Sequence, residues 1–315
     1  MRNLEEFREF YHQSLMPDLV ELEEQRQEAV QKLLTTLIPA LALTVILAFL
    51  LRSWGDVPLY ILFLSIPLTI FIFHSYTKNY INDFKERVIR KIVAFIDTHL
   101  KYTKQDYIPK MDFQRSKIFL QSPDCYLGDD RVSGFVGTTK IDFSEIRAQY
   151  RTRDSKGRTH YHTFFHGLFF AADFNKNFAG RTIVLPDTAE QLFGGLGQLL
   201  QSWNMSRPQL IRLEDPEFEK LFAVYGDDQV EARYILSTSL MKRIVDFKKA
   251  ANRTLYLSFV DSYVYVAIAY GRNLLEPSIF KTLLAFGPIQ QYFEDLQVAI
   301  GIVEDLNLNT RIWSK

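Results

Sequence analysis

The chain has 315 residues with 37 basic and 37 acidic side chains, so its formal net charge is zero. A neutral chain lacks the overall positive charge with which nucleic-acid-binding proteins attract phosphate, and any functional charge must therefore be local. The single cysteine, Cys125, excludes an intrachain disulfide and a multi-cysteine metal site, and it is typical of a reducing compartment.

The chain opens with an amphipathic pattern. Apolar residues recur at helical spacing, namely Phe7, Phe10, Tyr11 and Leu15. They predict a short helix over residues 3–16 that ends at Pro17. Such a helix could lie on a membrane surface or pack against the protein's own fold, and the sequence leaves both open. From Asp18 a glutamate-rich helix is predicted to continue into the apolar segment that follows.

Two long apolar segments come next, Leu33–Leu51 and Val57–Thr77, and neither contains Asp, Glu, Lys or Arg. The first has 19 residues, which as a helix span close to the roughly 30 Å of a bilayer's hydrocarbon core. Both are predicted to be transmembrane helices, joined as a hairpin by a short turn. Buried core helices are the alternative, but core helices of this length usually keep a polar face. Without charged groups in the spans, the hairpin is interpreted as an anchor rather than a transport path.

Flanking cations predict the orientation. Only Arg52 lies in the turn between the spans, whereas basic residues precede the first span and follow the second: Arg26, Lys32, Lys78, Lys85, Arg87, Arg90 and Lys91. Cytoplasmic flanks carry an excess of Lys and Arg, so both termini are expected in the cytoplasm.

A helical stalk is predicted below the membrane. Apolar residues from Ile81 to Phe95 keep helical spacing, and the outer face of this helix carries Lys85, Arg87, Arg90 and Lys91. The acidic helix that precedes the first span is expected to lie beside it. An antiparallel pairing would place Glu24 near Lys85 and Glu21 near Arg90.

After residue 102 the pattern changes to aromatic and β-branched alternation broken by turns, which predicts an α+β region. Strands are expected near 132–136, 140–153, 158–173, 181–185 and 211, followed by a strand hairpin over 254–270. Helices are expected from Asp187 towards Trp203, after Asp215, after Asp228, over Thr238–Ala250 and over Ile289–Leu306. The fold class is therefore α+β, a transmembrane helical hairpin and stalk followed by a mixed antiparallel-sheet and helix region. Residues 1–102, 103–205 and 206–315 are predicted as its parts, with a boundary at "NMSRP".

A hairpin that turns at "DSKG" carries the most distinctive candidate surface. If Arg153 pairs with Arg158, one face becomes almost wholly cationic. That face is either solvated or a docking surface for anionic lipid or an acidic partner protein. It consists of Arg147, Arg151, Arg153, Arg158, His160 and His162. It lacks a stacking platform for nucleic acid.

Metal and catalytic sites are expected to be absent. Alternate histidines, His160, His162 and His166, share a strand face, but the neighbouring arginines would repel a divalent cation. Asp227, Asp228 and Glu231 could suggest a metal site, yet Asp228 with Glu231 also forms a capping box. No metal and no cofactor is predicted.

The segment "FFAADFNKNFAGR" is the alternative catalytic candidate, through Asp173 and Lys176. It holds turn formers, including Gly180 with its access to positive φ, but no histidine, serine or second close carboxylate. A connecting loop between two strands explains it without catalysis.

Two segments resemble an uncharacterised bacterial membrane-protein family, catalogued as a domain of unknown function: "GLFFAADFNKNFAGRTIVLPD" at 167–187 and "LEDPEFEKLFAVYGDDQVEARYIL" at 213–236. The resemblance implies two transmembrane helices, a cytoplasmic domain and the bacterial inner membrane. It also implies a membrane protein of LemA type as a partner, and no activity.

The sequence thus predicts a non-catalytic, membrane-anchored binding or scaffold protein, in contact with the bilayer and able to form a homo-oligomer. A membrane-bound enzyme with a site near Asp173 and Lys176 remains the alternative.

Overall fold

The computed structural model describes residues 2–174, 176–187 and 209–308. The chain divides into two compact units. The helical unit contains Arg2–Ile92 and Leu275–Phe293, and the sheet unit contains Val93–Leu274 and the chain from Glu294 onwards. The helix expected from Asp187 towards Trp203 and the boundary expected at "NMSRP" lie outside the described residues. The division at 102/103 and 205/206 therefore stays a prediction.

The helical unit is built on two long helical runs with a short turn between them. The first run comprises α1 (Leu4–Phe10), a π-helical turn (Tyr11–Leu15) and α2 (Met16–Leu50). The second comprises α3 (Val57–Phe84), a π-helical turn (Lys85–Ile89) and α4 (Arg90–Ile96). Both runs are long and apolar enough to cross a membrane, and only 6% and 0% of their most apolar stretches is buried.

The N-terminal amphipathic helix packs inside the helical unit, which decides between the two alternatives left by the sequence. Phe7 and Tyr11 are at most 1% exposed. The Phe7 ring stacks on Phe293 with 4.0 Å between centroids, and the Tyr11 hydroxyl donates to the Leu284 carbonyl oxygen at 2.9 Å. Its apolar face is therefore occupied by the chain itself.

The acidic and basic helices of the stalk lie side by side, as expected, but with other partners. Arg87 donates to Asp18 at 2.8 Å and to Glu21 at 2.5 Å, and Lys91 also pairs with Asp18. Lys85, expected on the outer face, is 4% exposed with its Nζ 3.9 Å from Glu276. Both expected pairs were wrong. For Glu21 and Arg90 the reason is that a continuous α-helix was assumed, whereas the π-helical turn over Lys85–Ile89 adds a residue and rotates the face that follows it.

The sheet unit contains one antiparallel sheet of nine described strands. They are β1 (Leu100–Thr103), β2 (Cys125–Val136), β3 (Thr139–Arg153), β4 (Thr159–Asp173), β5 (Thr182–Pro186), β6 (Gln209–Ile211), β7 (Phe222–Gly226), β8 (Thr254–Val260) and β9 (Tyr263–Ala269). Their order is β1-β2-β3-β4-β9-β8-β5-β7-β6. The remaining described helices are α5 (Lys110–Arg115), α6 (Pro216–Glu219), α7 (Gln229–Ile235), α8 (Thr238–Ala251) and α9 (Phe286–Asp305), and α9 has residues of both units. The α+β fold class is confirmed.

Local signals placed most of these elements correctly. Asp215 caps α6 by accepting the N–H groups of Glu217 and Phe218, and β8 and β9 turn at Asp261 and Ser262 as expected. The sequence reading missed β1, β7 and α5. Strand β7 was missed because "FAVYG" is short and lies inside an acid-rich stretch that was interpreted only for its helix caps.

An aromatic core lies on one face of the sheet. Phe113 of α5 is 1% exposed and packs 4.9 Å from Phe169 of β4, between ring centroids, and 5.3 Å from Phe119. Buried Ser258 anchors the segment after α5, because its hydroxyl donates to the Ser116 carbonyl oxygen at 2.5 Å. This packing holds α5 beside the start of the β8–β9 turn, where Arg115 lies 3.8 Å from Asp261.

Candidate functional site

The predicted cationic hairpin is formed by β3 and β4. Beyond Gln149 of β3 and before Gly167 of β4, these strands pair only with each other among the described strands. We call residues 150–163 the arm. Residues 151–163 are all exposed. The arm carries four basic residues and one acidic residue, so it is locally cationic within a neutral chain.

The register of the arm differs from the expected one by one residue. Arg153 pairs with Thr159 rather than with Arg158, and Arg151 pairs with Tyr161 rather than with His160. The cause is the turn, which spans five residues, with the Asp154 N–H donating to the Arg158 carbonyl oxygen at 3.0 Å. A β-bulge after Ala148 shifts the pairing again.

The corrected register divides the predicted surface between two faces, because a one-residue slip moves every side chain of a strand to the other side. Arg151 and Arg153 share a face with Tyr161 and Thr159. His160 and His162 lie on the opposite face, beside Thr152 and Tyr150. The expectation of one face holding all six residues was therefore wrong, while binding by the arginines stays a prediction.

Each histidine of the hairpin has a local partner. The His162 ring stacks on Tyr150 at 5.0 Å between centroids, and its Nε2 lies 2.9 Å from the Thr152 hydroxyl. The His160 Nε2 is 3.5 Å from Asp154. The His166 Nε2 is 3.1 Å from Glu145. These hydrogen bonds and ring contacts give the histidines structural roles.

The loop between β4 and β5, described at residues 174 and 176–181, is held from two sides. On one side the N–H groups of Phe174 and Phe178 donate to the carbonyl oxygens of Ser262 and Asp261 at 2.8 and 2.5 Å. Both rings also pack against Phe259, with centroids 5.5 and 6.0 Å away. The aromatic residues of this loop therefore fix it to the β8–β9 turn.

On the other side, two carboxylates hold the loop. Glu231 of α7 accepts the N–H groups of Ala179 and Gly180, both at 2.8 Å. Asp227 forms a bidentate salt bridge with the Arg181 guanidinium, with distances of 2.8 and 2.9 Å. It also accepts a hydrogen bond from the Arg181 backbone N–H at 3.0 Å. We call these contacts the carboxylate clamp. The hydrogen bonds from Arg181 lower the pKa of Asp227 below its ordinary value.

The clamp corrects two expectations about this region. Asp228 is the N-cap of α7, accepting from Val230 and Glu231, but the Glu231 side chain binds the loop instead of completing a capping box. Gly180 does not need positive φ. A Cβ there would lie 3.1 Å from the Asp227 Cβ, so a larger residue would push against the clamp by a few tenths of an ångström.

The alternative catalytic residues, Lys176 and Asp173, each have a defined neighbour in the structure. The Lys176 Nζ lies 3.6 Å from the centroid of the Tyr234 ring, a cation–π contact, and burial lowers the pKa of Lys176. Asp173 is the last residue of β4 and pairs with Tyr263 of β9. An open groove of about 480 Å³ lies beside the loop. Arg115, Lys117, Phe178, Arg181 and Asp227 line it, without Asp173 or Lys176.

An acidic cluster was missed by sequence reasoning, because its members lie on different strands. Asp129, Asp130 and Glu145 place carboxylate oxygens within 4.8 Å of one another. Asp130 accepts from the Tyr102 hydroxyl, while Glu145 accepts from the Leu274 N–H at 2.8 Å. These donors give the cluster a structural explanation.

The chain is thus an α+β protein with two exposed apolar helices, a cationic arm and a clamped loop. Residues 163–308 match a family described as "Protein of unknown function (DUF3137)". Both segments on which the resemblance rests, 167–187 and 213–236, lie in this range, so the predicted likeness to an uncharacterised family is confirmed. No curated protein matches the chain. The crystal structure of the mycobacterial trehalose monomycolate transport factor A, TtfA, is similar over 67% of this chain and 94% of its own, with 12% identity and a TM-score of 0.34. That likeness is too distant to carry an argument.

Proposed function

We propose that the protein is a non-catalytic binding protein of the bacterial inner membrane, anchored by both apolar helices, whose α+β region binds a partner protein near the cytoplasmic face. The observation that carries the proposal is the exposure of the two helices. Nearly all of their most apolar stretches is uncovered, as in Phe63 at 72% and Phe71 at 70%. Exposed apolar surface of this extent needs lipid around it.

The hairpin arrangement supports two crossings. Helices α2 and α3 lie side by side within the helical unit, and the Thr36 and Tyr76 hydroxyls are 3.5 Å apart. A core helix would be buried, whereas these are not. Two crossings return the chain to its starting side, and the excess of Lys and Arg there puts both termini in the cytoplasm.

The arm supports a binding role. Arg151 and Arg153 share one face of the exposed arm, and Tyr161 beside them is 56% exposed. Arginine and tyrosine are enriched at protein interfaces, and a cationic surface favours an acidic partner. A membrane protein of LemA type is the partner that the family resemblance suggests, and a homo-oligomer is compatible with the same surface.

The clamp supports the non-catalytic assignment. The side chains of Asp227 and Glu231 both hydrogen-bond to the loop that was the catalytic candidate and hold it in place. A general base needs a carboxylate that is available to a substrate proton. The groove beside the loop is therefore best explained as part of a binding surface.

Charge reversal on the arm tests the binding role. The variant Arg151→Glu, Arg153→Glu and Arg158→Glu should reduce recovery of cross-linked partner proteins from membranes by at least about tenfold, because each reversal turns attraction into repulsion. Recovery is measured by affinity purification and quantitative mass spectrometry. The matched control reverses three exposed lysines elsewhere in the sheet unit: Lys140, Lys220 and Lys242.

Two results would contradict the binding role of the arm. Equal partner recovery by the arm variant and the wild type would remove the arm from the proposal. Loss of binding to anionic liposomes with unchanged partner recovery would assign the arm to lipid instead.

A further inference from the structure

A short segment of the helical unit carries exposed apolar side chains for which the proposed function gives no role. Between residues 275 and 285, Phe280 is 73% exposed and Leu284 is 42% exposed. Ile279 and Leu283, each directly before one of them, are buried. The alternation means that one side of this segment is packed on the protein while the other side is left apolar and open. We call residues 278–284 the apolar loop.

The apolar loop is fixed firmly to the base of the first long helix. The Arg26 Nη1 donates to the Ile279 carbonyl oxygen at 2.8 Å, and the Leu283 N–H donates to Glu23 at 3.0 Å. Glu23 and Arg26 themselves form an ion pair, with 2.7 Å between the Glu23 Oε1 and the Arg26 Nη2. Glu23 is buried and Arg26 is half-buried. Held at both ends in this way, the loop presents Phe280 outwards.

The position of the loop along the second long helix can be measured. The Phe280 ring centroid lies 6.4 Å from that of Phe73, and the Tyr80 hydroxyl lies 3.5 Å from the Ser278 carbonyl oxygen. Phe73 is four residues before Thr77, the end of the apolar segment, which corresponds to about 6 Å along a helix. Phe280 is therefore level with the last turn of the predicted span, inside its cytoplasmic end.

We propose that the apolar loop is a third membrane contact, which inserts Phe280 and Leu284 into the cytoplasmic leaflet at the boundary between headgroups and acyl chains. Two exposed lysines lie nearby. Lys281 is in the apolar loop, and Lys78 directly follows the apolar segment of the second long helix, where both can pair with lipid phosphates. The loop anchors the helical unit at the interface in the manner of a monotopic segment. This inference rests on the proposed function, because it requires that the two helices cross the bilayer.

Lipid fits this surface better than a second copy of the chain. The apolar side of the loop continues into the exposed face of the second long helix through the Phe73–Phe280 contact. Two side chains are far smaller than the roughly 800 Å² per partner that a stable protein interface buries. A bilayer needs no shape complementarity and accepts an isolated aromatic residue at its interface.

The test places an environment-sensitive nitrobenzoxadiazole label at single cysteines of the full chain in a Cys125→Ser background. The protein is reconstituted into vesicles of phosphatidylcholine and phosphatidylglycerol with or without lipid that carries a shallow doxyl quencher. The labelled variants are Phe280→Cys, the span control Phe71→Cys, and Val20→Cys. Val20 is a 45% exposed apolar residue of the same unit, 13 residues before Leu33 and so about 20 Å outside the apolar segment.

The expected result is blue-shifted emission and at least about twofold quenching at positions 71 and 280, with neither at position 20. Quenching at position 71 without quenching at position 280 would overturn the apolar loop's insertion and leave the proposed function standing. Absence of quenching at position 71 would overturn the membrane-crossing helices and the loop's insertion with them. Blue-shifted but unquenched emission at position 280, with cross-links between copies, would assign the surface to a second copy and also overturn the inference.

Discussion

Glu231 illustrates how a single side chain holds the loop that lies in the family's matched region. Its two carboxylate oxygens accept two successive N–H groups, those of Ala179 and Gly180. A carboxylate is suited to this role because both of its oxygens accept hydrogen bonds. An amide offers one accepting oxygen and turns an NH₂ group towards the other N–H.

The variant Glu231→Gln should therefore release one end of the loop. Loss of one charge-assisted hydrogen bond costs about 1–3 kcal/mol locally, so hydrogen exchange at Ala179 and Gly180 should accelerate about tenfold or more. Exchange is measured by mass spectrometry on the purified protein. Glu217→Gln is the matched control, because Glu217 is an exposed glutamate that pairs only at the surface with Lys249. Equal exchange in both variants would argue against the clamp.

Glu23 predicts a pH dependence in the helical unit. Hydrogen bonds from Arg26 hold the pKa of Glu23 at about 2, below the ordinary value of 4.5. Since the folded pKa is the lower one, the ionised carboxylate stabilises the fold fully above about pH 4.5, and this stabilisation is lost as the pH falls towards 2.

Exchange of the Leu283 N–H, corrected for its intrinsic rate, should accordingly rise in the wild type as the pH falls from 4.5 to 2. Glu23→Gln should lack this pH dependence and be less protected at neutral pH, because it leaves Arg26 without its buried partner at a cost of about 3 kcal/mol. A wild-type profile that stays flat through this window would contradict the assigned role of Glu23.

At the scale of elements, β4 and β9 approach each other closely at Gly167. A Cβ on this residue would lie 2.1 Å from the Ile268 carbonyl oxygen and 2.9 Å from the Tyr270 nitrogen. Both neighbours are backbone atoms, which cannot turn away as a flexible side chain would. The strand pair in the centre of the sheet therefore depends on the absence of one methyl group.

Gly167→Ala should lower the free energy of unfolding by about 2–3 kcal/mol, because the strands must separate to admit the methyl group. The control is Gly287→Ala, since a Cβ at this position in α9 meets nothing within 4 Å and alanine favours a helix. Urea unfolding in mild detergent, followed by circular dichroism, compares the two. Similar midpoints for both variants would show that the strands adapt at no cost.

At the scale of the whole molecule, the proposed double crossing predicts which positions are reachable from outside the cell. In a Cys125→Ser background, a cysteine at Trp54 in the turn between α2 and α3 should react with a membrane-impermeant maleimide on intact spheroplasts. A cysteine at Val20 should react only after permeabilisation. Labelling of position 20 on intact spheroplasts would reverse the orientation, and labelling of both would exclude two crossings.

Several features could be predicted from the sequence because their causes are local. The apolar segments can be recognised from their composition over about 20 residues. The helix caps at Asp215 and Asp228 can be recognised from the residues next to them, and the β8–β9 hairpin from the alternation of apolar residues around its turn. The family likeness likewise depends on contiguous segments, and the match over 163–308 confirms it.

Other features required the tertiary structure, because they depend on register and on residues distant in sequence. A five-residue turn and one β-bulge moved the arm's arginines and histidines to opposite faces, and a π-helical turn changed the partners of the stalk's charges. Glu231 meets Ala179 and Gly180 across 52 and 51 residues, respectively. Composition and spacing alone determined that the chain has two lipid-compatible helices and an α+β remainder. Only the folded chain decided which carboxylates hold the β4–β5 loop and which side chains share a face of the arm. Strand register and long-range packing are cooperative properties of the whole fold, so a local sequence pattern does not determine them.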